Sequence, residues 1–133
     1  MNPSYRAYCR VAAAAGAVIT IYALAVNRVR QHLAHDWFHS VLHLTSAALG
    51  AYAGWMAADI ILARVFTWTI GMLYLGLGIY GWFTPGLFMN FPVAIPLSAG
   101  DNVVHLLLSG PALVIVTRDL CTTWRSGAAP TSE

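Results

Sequence analysis

Four apolar stretches, each framed by an arginine or an aspartate, dictate what this chain can become. Residues 11–27 carry no charge between Arg10 and Arg28, and residues 37–63 lie between Asp36 and Arg64. Residues 65–83 follow directly, and residues 102–117 are closed off by Asp101 and Arg118. A helix needs about 20 apolar residues to cross the hydrocarbon core of a bilayer. Only a helix or a closed barrel can satisfy its own backbone there. The spacing therefore predicts an all-α polytopic membrane protein, a four-transmembrane-helix bundle formed by a single membrane domain over residues 1–133.

Composition points the same way. Charged residues make up 9% of the chain and apolar residues 59%, whereas a soluble domain carries about 25% charged residues. A surface so poor in charge would not stay dispersed in water. This argues against a soluble domain, a disordered chain, a coiled coil and a secreted disulfide scaffold. The cations are seven arginines with no lysine, and the net charge is +2. No basic stripe with interleaved aromatics marks a nucleic-acid partner, and no lysine is present to complete a phosphate-binding loop. Cys9 and Cys121, near opposite ends, read as unpaired thiols.

Between the third and fourth stretches, residues 84–100 hold Pro85, Pro92 and Pro96. Three prolines disfavour a regular helix, so an apolar outer loop is expected. Residues 126–133 read as a flexible tail. Four spans would place Arg6, Arg10, Arg64, Arg118 and Arg125 on one side and Arg28 and Arg30 on the other. The positive-inside rule then predicts both termini in the cytoplasm. The first stretch has a second reading as a signal peptide, with Arg6 and Arg10 before the apolar run and Ala23-Leu24-Ala25 as a cleavage site. Retention as a span is the expectation, because it preserves a helix-pair pattern.

That pattern is a repeated motif. His39-Ser40-Val41-Leu42-His43-Leu44 opens the second stretch, and Asp101-Asn102-Val103-Val104-His105-Leu106 opens the fourth. Each follows an outward loop and a span that begins after an arginine, as Arg10-Val11 and Arg64-Val65. Two parallel helix pairs related by an axis along the membrane normal would produce this; resemblance between apolar helices arising by chance would produce it too.

Histidine is rare inside spans and costly to bury alone. His35, His39 and His43 are spaced to share one helix face, with Asp36 beside them. The same face continues as Ser46, Gly50, Gly54 and Ala58, a stripe of small residues that lets another helix approach. Asp101, placed as an N-cap, precedes His105 by one turn. His39, His43, Asp101 and His105 are thus candidates to converge near the outer interface. Three uses compete. The groups could be polar glue between helices, a divalent-metal site on all four, or axial ligation of a haem or other tetrapyrrole by His43 and His105. Gly71, Gly76, Gly78 and Gly81, with Tyr74 and Tyr80, read as packing of the third span. Asp59 and Arg64 read as an interfacial ion pair. No nucleophile–base arrangement stands out, so no enzymatic activity is expected.

His39 to Leu44, the Gly71-Met72-Leu73-Tyr74 to Ile79-Tyr80-Gly81 span and Asp101 to Leu106 together resemble a family of small bacterial four-span membrane proteins of unknown function. That family carries His-Asn-x-x-His-Leu and Asp-Asn-x-x-His-Leu motifs. Ser40 stands where the family has Asn, and the first span lacks the family's glycines. The resemblance covers roughly residues 36–116. It implies a four-span fold in the bacterial inner membrane and no established activity. The functional expectation is a small non-enzymatic, structural or accessory membrane subunit. Its partners would be the bilayer and other membrane subunits or further copies of itself. The alternative is a metal- or tetrapyrrole-binding membrane protein.

Overall fold

A computed structural model of the chain describes residues 4–30, 37–84, 86–88 and 95–127. Helix α1 spans Ser4–Arg30 and α2 spans Trp37–Ala51, extended by a π-helical turn over Tyr52–Met56. Helix α3 spans Ile61–Phe83 and α4 spans Ala99–Gly127. Three segments are long and apolar enough to cross a membrane: Ser4–Ala25, Ile61–Phe83 and Ala99–Arg125. Within the proline-rich segment, β1 (Gly86–Phe88) and β2 (Ile95–Leu97) form a short antiparallel ribbon, with Leu87 opposite Pro96. All other regular structure among the described residues is helical. His35, Asp36 and residues 128–133 lie outside the described residues.

The second apolar stretch is not one helix over residues 37–63. The Ala57 N–H donates to the Tyr52 carbonyl at 2.8 Å, closing a wide i→i−5 ring, and Ala57 itself is extended at φ −61° and ψ 132°. The chain reverses over Ala58–Ile60 and re-enters as α3 at Ile61, four residues before the boundary read from Arg64. Charge fixes this break. The Asp59 carboxylate accepts from the Ile61 N–H at 3.0 Å and so satisfies a free donor of the α3 first turn. The Arg6 guanidinium donates to the Ala58 and Asp59 carbonyls, each at 3.1 Å. Arg10 Nε donates to the Gly54 carbonyl at 2.9 Å, inside the π-helical turn. Two arginines of α1 therefore take up carbonyls that the end of α2 leaves without helical partners.

Packing is paired. Helix α1 lies chiefly on α2 and α3 chiefly on α4. Small residues sit where backbones meet. A methyl added at Gly16 would touch Ala47 and the His43 carbonyl, and one at Gly50 would press on Phe66 and the Cys9 carbonyl. One at Gly78 would meet Leu106 and the Asn102 carbonyl, and one at Gly81 would run into the Asn102 side chain. In contrast, Gly76 has open space around it. The core joins both pairs: Tyr5, Tyr8, Cys9 and Ala12 from α1, Phe66, Ile70 and Tyr74 from α3, and Ala112 and Val116 from α4. The buried share of α1 makes it an integral part of the bundle. Its outward residues Val11, Val18, Ile21 and Tyr22 are each more than 60% exposed, as a lipid-facing surface requires.

At the end holding the α1 start, Asp119 of α4 accepts from Arg64 at 2.6 Å and from the Tyr5 hydroxyl at 2.9 Å. This corrects the expected Asp59–Arg64 pair. Asp59 is spent on the helix start, and Arg64 reaches across to the neighbouring helix.

Candidate metal centre

At the other end, three imidazoles converge. His39 and His43 stand four residues apart on α2, so they share a face. Gly16 on α1 comes close to the His43 carbonyl, which seats that turn of α2 firmly in the bundle. His105 stands on the second turn of α4, where Asn102 is pressed against Gly81 of α3. All three histidines are buried, His105 at 2% exposure. One ring nitrogen of each lies within 4.8 Å of the other two.

The first turn of α4 is arranged around a capping box. The Asp101 carboxylate accepts from the Ser98 N–H at 3.0 Å and from the Ser98 hydroxyl at 2.6 Å. The Asp101 N–H in turn donates to Ser98 Oγ at 3.2 Å. This is the reciprocal Ser-x-x-Asp arrangement, with Ser98 as the cap and Asp101 three residues in. Asp101 was expected both as the cap itself and as a fourth metal ligand. Its carboxylate instead orients the helix that carries His105, and the three histidines converge without it.

Within the cluster, His39 Nε2 and His43 Nε2 are 2.8 Å apart, and one donates to the other. The His43 and His105 rings are stacked, 21° from parallel, with centroids 6.3 Å apart. Tyr74 of α3 lies beside both. Its ring centroid is 4.9 Å from that of His105, and its hydroxyl is 3.5 Å from His43 Nδ1. His105 Nδ1 has no hydrogen-bond partner among the described residues, although an unsatisfied buried polar atom costs about 1–3 kcal/mol.

These distances can be compared with a metal's needs. Zinc–nitrogen bonds of about 2.0–2.1 Å in a tetrahedral site set ligand nitrogens roughly 3.3 Å apart. The observed separations, 2.8 Å at one pair and up to 4.8 Å overall, bracket that value. Small rotations of the imidazoles would bring all three to one ion. The space bounded by His39, His43, Ser46, Leu73, Tyr74 and His105 among others is about 60 Å³. That holds an ion with a small ligand. A tetrapyrrole between His43 and His105 would need several times the volume, since small-molecule sites begin near about 300 Å³.

Tyr74 is the group that sequence reasoning placed elsewhere. It was read as packing, with the glycines of its span. The contact of Gly78 with Leu106 sets the face of α3 and brings Tyr74, one turn earlier, to the level of His105. No protein-family model matches this chain, and no curated protein or solved structure is significantly similar to it.

Proposed function

We propose that this chain is a four-span membrane protein whose histidine cluster holds a divalent metal ion, with His39, His43 and His105 as ligands. The observation that carries the reading is the convergence of three buried imidazoles from two helices within 4.8 Å. Imidazole is a preferred ligand of zinc and of other divalent first-row metals. Three protein nitrogens leave a fourth tetrahedral position open, which is the pattern of zinc sites that bind a further ligand. The orphaned Nδ1 of His105 adds support, since a bound ion or its associated water would satisfy it.

The fourth span in this reading is α2 with its π-helical turn. Trp37–Met56 supplies 20 residues, just the length that a bilayer crossing requires. Both termini then face the same side. The arginine-rich end, with Arg6, Arg10 and Arg64, is the cytoplasmic one by the positive-inside rule. The histidine cluster faces the outer half of a bacterial inner membrane, as the motif resemblance implies. A reporter fused at each terminus, read for cytoplasmic or external activity, tests the topology.

A second reading has its own observation. The direct 2.8 Å hydrogen bond between His39 and His43 is what polar glue in a metal-free accessory subunit would look like. Elemental analysis of gently purified protein separates the two. The metal reading expects about one divalent ion per chain, lost in His43→Leu and His105→Leu. The accessory-subunit reading expects no ion in either form and altered assembly in the variants. Protein that neither arrives with nor takes up a divalent metal sinks the first reading.

A further inference from the structure

Helices α2 and α3 are neighbours in sequence, yet they touch little. Each leans on a different partner, α2 on α1 and α3 on α4. The result is a fissure of about 270 Å³ between them, lined by Leu49 from α2 and by Leu62, Val65, Phe66 and Ile70 from α3. Phe66 and Ile70 are buried and form its floor, whereas Leu49 and Val65 are more than half exposed at its rim. The fissure has a polar end. Ser46 and Leu73 line both it and the histidine cavity, so the two spaces adjoin. Beyond Ser46 come the Tyr74 hydroxyl and the imidazoles. Together the two spaces reach the lower end of small-molecule sites, about 300 Å³.

We propose that this fissure takes the hydrocarbon chain of a single-chain fatty carboxylate, whose head group completes the metal site. The inference rests on the metal reading above and names what fills its open position. Shape and polarity select an amphiphile: an apolar slot with an exposed rim ends at hydroxyls and the imidazoles of the proposed metal site. Charge then selects the head. Among the described residues no carboxylate joins the three imidazoles, so a divalent ion held by them would keep its full charge in a low-dielectric place. An isolated charge buried there is costly unless it is paired. A carboxylate oxygen is an established fourth ligand for zinc and brings the missing negative charge. The Tyr74 and Ser46 hydroxyls are at hand to donate to its second oxygen. A two-chain phospholipid would have only one of its chains in this fissure.

The test uses the full chain in detergent micelles, with zinc added and its uptake measured first. Equilibrium binding of hexadecanoate is then compared with hexadecanol, which has the same chain and no charge, and with a two-chain phosphatidylglycerol. Hexadecanoate should bind at least about tenfold more tightly than the other two, a difference of about 1.4 kcal/mol. The preference should vanish when the zinc is chelated. Val65→Trp, a substitution at a half-exposed rim residue, should weaken hexadecanoate binding about tenfold while leaving zinc uptake unchanged. Zinc uptake with equal binding of the acid and the alcohol overturns the proposal and leaves the metal reading standing. So does a Val65→Trp protein that binds zinc and hexadecanoate as the parent does. Tighter binding of the phospholipid overturns the single-chain assignment. Failure to take up zinc at all removes the metal reading and this proposal with it.

Discussion

The two ends of the bundle handle polarity in opposite ways. At one end, Arg6, Arg10, Arg64, Asp59 and Asp119 carry full charges, and each is spent on a neighbour. The arginines take backbone carbonyls or a carboxylate, and Asp59 takes a helix N–H. Arg64 is half exposed. At the other end, His39, His43 and His105 are buried beside Tyr74, with no carboxylate among the converging groups of the described residues. The charged end is a set of pairings that stabilise a helix break and tie α3 to α4, with Arg6 Nε left buried and without a partner among the described residues. The histidine end is an open arrangement, with an orphaned nitrogen and adjoining space. A charge at a membrane interface finds water and partners. An imidazole inside needs a partner, and here His39 and His43 find one in each other at 2.8 Å.

The largest expected effect breaks the comparison at the histidine end. His105→Ala removes the proposed ligand on α4, leaving two from one helix. Zinc affinity should fall by more than about 100-fold, beyond the 10- to 100-fold typical of losing an outer-shell partner. Titration with a competing chelator measures it. The equivalent loss of charge at the other end, Arg64→Gln, should leave zinc affinity unchanged. Equal effects from the two substitutions would mean that the histidines act only through the fold.

The next effect concerns packing beneath the cluster. A methyl at Gly81 meets Asn102, which is buried and sits one turn before His105. Gly81→Ala should destabilise by about 1–3 kcal/mol, the usual penalty of overpacking. Gly76→Ala, with open space around it, makes the control on the same helix. There the added methyl should be neutral or mildly stabilising through helix propensity. Thermal unfolding in detergent compares the two, and equal melting shifts would show that a methyl at Gly81 does not press on Asn102.

Much of this was legible in the residues. Charges framing apolar runs located the helices, because a membrane tolerates charge only where a span ends. The repeated His-Leu motif located two of the three elements of the site, because i and i+4 on a helix must share a face. The break at Ala57 was not legible. Residues 52–63 are apolar throughout except Asp59, and nothing local distinguishes a helix that continues from one that reverses. The decision comes from Arg6 and Arg10, about 50 positions earlier, reaching carbonyls across the helix pair. Asp101 was legible as a helix-start residue. Its place within the capping box depends on Ser98, which lies before the apolar run and was read as loop. The side of α3 on which Tyr74 falls is set by the Gly78 and Gly71 contacts with α4, which hydropathy alone does not orient.

Tyr74→Phe gives a smaller effect and sharpens what the aromatic contributes. The ring stays against His105, and only the hydroxyl near His43 Nδ1 is lost. A partner on the second ring nitrogen fixes the tautomer of a ligating histidine. Zinc affinity should therefore drop by about tenfold, with the melting temperature close to that of the parent. A variant that loses stability instead of affinity would assign Tyr74 to packing.

The smallest expected effect lies at the charged end and completes the contrast. Asp119→Asn keeps the shape of the side chain and removes the charge that Arg64 and Tyr5 share. The amide oxygen can still accept from one of them, and the half-exposed guanidinium can turn to water. Exposed ion pairs contribute little on their own. The melting temperature should shift less than for Gly81→Ala, and zinc affinity should not move at all. The shift should also shrink as salt is raised, because screening already weakens the exposed pair in the parent. A salt-insensitive loss would place Asp119 in a dry interior. The two ends of the bundle would then differ in chemistry but not in access to water.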